Sequence, residues 1–123
     1  MASPNKRGLL VIVRQAPYGS SLARASLDVA LAAAAFEQPV SLLFMGDGVL
    51  QLLPEQDSKA IGRKNIGRLL ASLPLYDIEQ VYVDAEAAAR YRIDLAGAPL
   101  PARALDETGL RQLMNSCDHL LGF

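Results

Sequence analysis

The single cysteine of this chain, Cys117, is its one side chain with the chemistry of a strong nucleophile. A cysteine reacts as its thiolate, which is favoured at helix N-termini and beside cations. Cys117 instead falls at the end of a predicted helix, on the same apolar stripe as Leu110, Leu113 and Met114, and Asp118 follows it. The carboxyl end of a helix and a neighbouring carboxylate both disfavour a thiolate. The pattern therefore favours a buried structural cysteine over a nucleophile or a persulfide carrier.

The turn Gly46-Asp47-Gly48 is the second place where the residue types invite a chemical interpretation. It follows an apolar run typical of a strand, and open α/β sheets bind ligands at the carboxyl ends of their strands. The chain has neither G-x-G-x-x-G nor G-x-x-x-x-G-K-[ST], so a phosphate cradle is not indicated. Turn chemistry favours glycine at positive φ and Asp47 bonded to nearby backbone amides. If the chain has a cleft, we expect Tyr18, Gly19, Asp47 and Gly48 to line it.

Asp84 and His119 are the remaining candidates for acid–base chemistry. Asp84 follows a predicted strand and precedes an alanine-rich helix, so an N-cap explains it better than a general base does. His119 is the only histidine and has no serine or cysteine beside it in a catalytic arrangement. With one histidine and one cysteine, a metal site built on several such ligands is not expected. We therefore expect no catalytic residue, no metal and no cofactor in this chain.

Composition indicates one globular domain. The chain has 123 residues, of which 51% are hydrophobic and 20% charged, and its net charge is −1. That is enough for one core, and it gives no global attraction to nucleic acid or to an anionic membrane. A lone cysteine excludes an intrachain disulfide and fits a reducing compartment. No apolar run approaches the roughly 18 residues of a membrane span, so we expect a cytoplasmic protein.

One predicted helix carries a basic face that consists of Lys59, Arg63, Lys64 and Arg68. Such a face is able to meet an acidic partner or a tRNA backbone. With a net charge of −1 and no interleaved aromatic residues to stack bases, a solvated helix face is favoured. We expect no direct binding of nucleic acid.

Apolar periodicity alternates between strands and helices along the chain. Apolar β-branched runs predict strands, and longer amphipathic segments that follow Ser, Asp or Pro–Gly signals predict helices. The strands are expected over 9–13, 40–45, 78–83, 99–105 and 119–123, and the helices over 22–36, 58–73, 85–91 and 107–117, with a helical turn over 49–53. This alternation predicts a single-domain three-layer α/β sandwich over residues 1–123, with 1–7 as a flexible N-terminus. The sheet is expected to be mostly parallel and about five-stranded, with helices on both faces, as in flavodoxin-like proteins.

The second half of the first helix is apolar on every side. A helix on the surface of a monomer shows a polar face along its length. Residues 29–36 are all apolar, and the first polar residue after them is Glu37. This segment must bury against something beyond the sheet, and in so small a chain we favour another subunit. The expected interface residues are Val29, Ala33, Ala34 and Phe36.

Five segments together carry a family resemblance. The most specific is Phe44-Met45-Gly46-Asp47-Gly48-Val49-Leu50-Gln51-Leu52-Leu53-Pro54, and the second is Leu75-Tyr76-Asp77-Ile78-Glu79-Gln80. Pro17-Tyr18-Gly19, Ser26-Leu27-Asp28 and the closing segment 118–123 add to it. Over the whole chain after Arg7, the sequence resembles the TusC/DsrF type of the DsrE-like sulfur-relay family.

The resemblance implies a place in a complex. Proteins of this type assemble with TusD/DsrE-like and TusB/DsrH-like homologues as a dimer of heterotrimers, which relays persulfide sulfur toward the 2-thiouridine at the wobble position of certain tRNAs. The essential cysteine belongs to the TusD/DsrE-like partner, and its position corresponds here to Asp84, which cannot form a persulfide. The resemblance thus implies a non-catalytic structural subunit.

Three alternatives stay open at the level of sequence. The first is a DsrF-type subunit of a dissimilatory sulfur-oxidation complex, because relatives of both kinds share these motifs. The second is a small-molecule-binding flavodoxin-like module that uses the edge near Tyr18 and Asp47. The third is an independent sulfurtransferase that uses Cys117.

Overall fold

A five-stranded, fully parallel sheet forms the centre of the molecule. The computed structural model describes residues 8–15, 22–36, 39–53 and 70–123. The strands are β1 (Leu9–Val13), β2 (Val40–Phe44), β3 (Gln80–Asp84), β4 (Arg103–Leu105) and β5 (His119–Gly122). They lie in the order β4-β3-β2-β1-β5, and all four pairings are parallel. The predicted fold class is confirmed.

Three α-helices and three short 3₁₀ helices connect these strands in the described part of the chain, and residues 70–72 are also α-helical. The α-helices are α1 (Leu22–Ala35), α2 (Ala85–Arg90) and α3 (Glu107–Ser116), and the 3₁₀ helices cover Gly46–Leu52, Leu73–Tyr76 and Leu95–Gly97. Most of the helix expected over 58–73 lies outside the described residues. Within those residues, no helix is long and apolar enough to cross a bilayer.

Aspartate side chains begin both of the shorter α-helices. The Asp84 carboxylate accepts a hydrogen bond from the backbone N–H of Glu86 at 3.1 Å, and that of Asp106 accepts from Gly109 at 2.8 Å. Each bond satisfies an N–H that has no partner within the helix, which is why the helix begins there. The expectation that Asp84 is an N-cap is confirmed.

The core fills one face of the sheet. The parallel register places side chains of β1, β2 and β3 on one common face, where they are fully or almost fully buried. They pack against Leu27 and Ala30 of α1 and against Ala87 and Ala88 of α2. These strand residues are Val11, Val13, Leu42, Phe44, Val81 and Val83. Leu10 and Leu43 point to the opposite face and are also buried, outside this cluster. Burial on both faces explains why β1 and β2 are nearly continuous apolar runs.

The order of the strands places α3 on its own side of the sheet. From β1 to β4 the chain steps in one direction, and α3 then returns it to β5 at the far edge. Right-handed crossovers, the rule for parallel strands, put α1 and α2 on one face and α3 on the other. The helices therefore form two layers around the sheet.

Two strand boundaries and one burial prediction need correction. β4 covers only Arg103–Leu105, because Pro99 and Pro101 have no N–H to donate to a neighbouring strand. β3 begins at Gln80 rather than at Ile78, and it includes Asp84. The expectation that Cys117 is buried is wrong: no residue of α3 is buried, and Cys117 is a half-buried C-cap residue in extended conformation.

The turn after β2 is fitted closely to the end of β1. The backbone N–H of Met45 donates to the carbonyl oxygen of Val13 at 3.0 Å. A Cβ atom added to Gly48 would lie 2.0 Å from that same carbonyl oxygen, closer than van der Waals contact permits. Gly46 adopts φ +51 and has open space around it. The prediction of glycine at positive φ is therefore confirmed at Gly46, whereas Gly48 is required for its lack of a side chain.

Gly48→Ala should lower the free energy of unfolding by about 3 kcal/mol, because the new methyl group forces two backbone segments apart. Gly46→Ala is the matched control and should cost only about 1 kcal/mol, the strain of a left-handed alanine with no clash. Urea denaturation of both variants measures the difference. Equal losses at the two positions would contradict the close packing of Gly48 against Val13.

Candidate functional site

The carboxyl-terminal edge of the sheet collects the polar residues that the sequence singles out. All five strands are parallel, so their carboxyl ends meet at one edge. Arg14 and Asp47 follow β1 and β2, and Asp84 ends β3. This is the edge at which open α/β sheets place their ligand sites.

The carboxylate of Asp47 is occupied by Tyr91. The Tyr91 hydroxyl donates a hydrogen bond to Oδ1 of Asp47, although the two residues are 44 positions apart in the chain. The bond joins the turn after β2 to the residue that follows α2, and both side chains are exposed. The Arg90 guanidinium lies over the Tyr91 ring, 5.8 Å from its centroid, at cation–π distance. The sequence predicted backbone amides as the partners of Asp47 and missed Tyr91.

The contact with Asp47 raises the pKa of Tyr91 above its ordinary value. The hydrogen bond to the carboxylate is the largest cause, since it stabilises the protonated phenol. Desolvation and the negative charge of Asp47 act in the same direction, and the charge of Arg90 opposes them. The hydroxyl therefore remains a donor to Asp47 throughout the neutral range.

A buried glutamine, Gln51, links two segments at the same edge. Gln51 is 3% exposed, and its Nε2 donates to the backbone carbonyl oxygen of Gln15 at 2.9 Å. Its Oε1 is buried and has no hydrogen-bond partner among the described residues. The bond joins Gln15, two residues after the end of β1, to the 3₁₀ helix after β2. The sequence did contain a signal for it, because Gln51 is the one polar residue between Val49 and Leu53.

Only half of the predicted cleft falls in the described structure. Tyr18 and Gly19 lie outside the described residues. Asp47 and Gly48 do lie together at the carboxyl edge, but Gly48 is buried against Val13 and offers no surface. Asp47 is thus the exposed member of this pair, and its Oδ1 is engaged by Tyr91.

The predicted interface on α1 is partly exposed. Phe36, directly after the helix, is 83% exposed. Val29, Ala33 and Ala34 are half-buried, and Ala33 and Ala34 pack partly against the core. We refer to these four residues as the α1 surface. A phenylalanine this exposed is unusual for a residue type that is most often buried.

Comparison with known proteins identifies the family. The model of the DsrE/DsrF-like family matches residues 7–123. The chain belongs to the DsrE/DsrF-like family. It is 34% identical to a "Protein TusC homolog" of Pseudomonas aeruginosa, over 94% of this chain and 97% of that protein. It is 36% identical to a "Protein TusC homolog" of Vibrio parahaemolyticus, over 94% and 98%.

Two further proteins extend the comparison. The chain is 45% identical to the "Intracellular sulfur oxidation protein DsrF" of Allochromatium vinosum, over 60% of this chain and 54% of that protein. The crystal structure of the ychN protein from E. coli superposes with a TM-score of 0.77 at 23% identity, over 95% of this chain and 99% of that one. This structural likeness shows that the two proteins share a fold.

Asp84 and Cys117 lie at opposite edges of this DsrE/DsrF-like sheet. Asp84 is the last residue of β3, whereas Cys117 precedes β5, and the N–H of the next residue, Asp118, bonds the carbonyl oxygen of Gly8 just before β1 at 3.0 Å. A five-residue strand spans about 17 Å, so Cys117 is separated from Asp84 by at least the length of the sheet. The carboxyl edge of the described structure contains no thiol. Among the described residues, no group of three histidine, cysteine or acidic side chains is arranged to hold a metal ion.

Asp47→Asn should lower the pKa of Tyr91 toward the ordinary value of about 10, because an amide oxygen stabilises the protonated phenol less than a carboxylate does. Titration of the tyrosine ring signals by NMR measures it, with Tyr91→Phe to assign the signal. Asp77→Asn, which removes a carboxylate at the other edge of the sheet, is the control and should leave the pKa unchanged. An unchanged Tyr91 pKa in Asp47→Asn would show that the contact does not form in solution.

The same contact gives a pH dependence of stability. The pKa of Tyr91 is raised in the folded protein. The contact therefore stabilises the fold fully below the unfolded pKa of about 10, and this contribution is lost as the pH rises through the higher folded pKa.

Proposed function

We propose that this DsrE/DsrF-like protein is a non-catalytic structural subunit of a heteromeric sulfur-relay complex. Its partners are TusD/DsrE-like and TusB/DsrH-like subunits in a dimer of heterotrimers. The complex passes persulfide sulfur for 2-thiolation of the tRNA wobble uridine. In support, the TusC homologues align with the chain over almost its full length and theirs.

Asp84 carries this proposal. It stands where the resemblance places the sulfur-bearing cysteine of the TusD/DsrE-like partner, and a carboxylate cannot hold sulfane sulfur. Its oxygen caps α2 through the N–H of Glu86. Capping of α2 therefore explains the presence of Asp84 without a catalytic role.

The position of Cys117 also favours the scaffold role. Reactive thiols are found at helix N-termini and beside cations, and Cys117 is instead the C-cap residue of α3, followed by Asp118. Its distance from the carboxyl edge prevents it from replacing the missing cysteine at Asp84. Sulfur passage is accordingly assigned to the partner subunit.

The α1 surface is the proposed contact with the homologous partners. Exposed Phe36 supplies the kind of aromatic anchor that is enriched at protein interfaces. Contact with tRNA is assigned to the partners, because the net charge of −1 gives no electrostatic footprint for a polyanion. We place the assembly in the cytoplasm, where a chain with a lone cysteine keeps its thiol reduced.

Sulfur oxidation is the second candidate function. It is supported by the 45% identity to DsrF, higher than the identity to the TusC homologues quoted above, although that match covers 54% of DsrF. A thiolation assay on purified tRNA separates the two. Formation of 2-thiouridine by the reconstituted complex supports the tRNA pathway, and its absence despite persulfide passage within the complex supports the oxidation pathway.

Cys117→Ala should leave sulfur transfer by the assembled complex unchanged within about twofold, because the reacting cysteine belongs to the partner. Because the residue is only half-buried, the substitution should cost about 1 kcal/mol of stability or less. Transfer of labelled sulfur from a persulfide donor to tRNA measures the effect. Lost transfer with assembly intact would make this chain a sulfur carrier.

Phe36→Glu should weaken assembly with the homologous subunits at least ~10-fold, since an interface anchor is replaced by a charge. Because Phe36 is exposed, the isolated chain should keep its stability. Ala35→Glu, at an exposed position of the last turn of α1, should act in the same direction, and Ala89→Glu, at an exposed position of α2, is its matched control. Co-purification of tagged partners measures assembly. Normal assembly of both α1 variants would place the interface elsewhere.

A further inference from the structure

We propose that the amino-terminal edge of the sheet, around the starts of β3 and β4, is a docking surface for a second copy of this chain. Two copies pack about a two-fold axis, and each inserts Leu75 into a hollow of the other. This surface lies at the opposite edge from Asp47 and Asp84, and the proposal does not depend on sulfur chemistry.

The hollow is apolar and large enough for a side chain. It has a volume of about 290 Å³ and is bounded by residues that precede or begin β3 and β4: Pro74, Ile78, Glu79, Val81, Leu100 and Pro101. A cavity of about 150 Å³ admits a benzene molecule. A leucine side chain therefore fits the hollow with room for its neighbours to adjust.

A protruding apolar residue stands directly beside this hollow. Leu75 is 83% exposed, and it follows Pro74, which lines the hollow. Tyr76, the next residue, is 55% exposed. Leu75 and Phe36, each 83% exposed, are the most exposed large apolar side chains in the described part of the chain. Exposure of Leu75 to water is unfavourable, and burial against a partner removes that free-energy cost. A projection and a matching hollow on one surface are what an isologous two-fold interface requires, since each copy must offer both.

Charges at the rim of the hollow are arranged for reciprocal pairing. A second hollow of about 270 Å³ adjoins the first and includes both Glu79 and Arg103 in its lining. Both residues are exposed, and the ion pairs found among the described residues do not include either. A two-fold axis brings Glu79 of one copy to Arg103 of the other and repeats the pair on the far side of the axis. Rim pairs of this kind fix orientation more than they add affinity.

Side-chain packing, rather than strand addition, is the mode of contact. β4 is an edge strand with only three residues, and Pro101 just before it has no N–H to offer. Short edge strands flanked by proline are poor templates for a further strand. The second copy is therefore held by the apolar hollow and the rim charges.

Sedimentation equilibrium of the full chain, without partners, tests the proposal. We expect a monomer–dimer equilibrium, with Leu75→Ser raising the dimer dissociation constant at least ~10-fold. Leu120→Ser is the control, because Leu120 is 47% exposed on β5 at the far side of the sheet, and it should leave the constant unchanged. A monomer at all accessible concentrations, or equal weakening by both variants, would overturn the proposal.

A charge exchange shows whether the pairing is between copies. Glu79→Arg alone and Arg103→Glu alone should each weaken the dimer, because each places like charges across the axis. An equimolar mixture of the two variants should recover dimers of wild-type strength, since the arginine introduced at 79 faces the glutamate introduced at 103, and the native pair remains on the other side. No weakening in the single variants, or no recovery in the mixture, contradicts the interface. So does a result in which only a homologous partner, and never a second copy, protects Leu75 in hydroxyl-radical footprinting.

Discussion

Parallel pairing of β1 with β2 and of β2 with β3 is the constraint on which the rest of the molecule depends. β1 and β2 are buried on both faces and β3 on one, so the backbone groups between these strands are shielded from water and must pair with one another. Parallel pairing sends all carboxyl ends to one edge and all amino ends to the other. The turn after β2 must then pass against the end of β1, which is why Gly48 has no room for a side chain. The buried Gln51 side chain bonds the chain just after β1 from the same segment.

The two edges consequently differ in chemistry. At the carboxyl edge, polar side chains are engaged with each other or with the backbone: Asp47 with Tyr91, Asp84 with Glu86, and Gln51 with Gln15. At the amino edge, apolar side chains and hollows face solvent around β3 and β4. In relatives that transfer sulfur, the resemblance places the cysteine at the carboxyl edge. In this chain Asp84 occupies that position and begins α2, which is consistent with the proposed structural role.

Much of the fold could be predicted from the sequence because its signals are local. Apolar runs such as 9–13, and the aspartates that begin α2 and α3, act within a few residues of themselves. The predictions from sequence failed where a contact or the burial of a residue depends on segments that are distant in the chain. The bond from Tyr91 to Asp47 spans 44 positions. Cys117 was expected to be buried, but α3 packs so shallowly that none of its residues is buried. The apolar stripe of α3 correctly indicated a helix, but a stripe does not reveal how deeply it packs.

We propose that sulfur passes through the complex without residing on this subunit. The most direct measurement is the intact mass of every subunit after the reconstituted complex is incubated with a persulfide donor and quenched during turnover. We expect sulfane sulfur on the TusD/DsrE-like partner and an unmodified mass for this chain at all times. A persulfide on Cys117 that forms and disappears at the rate of transfer would contradict it.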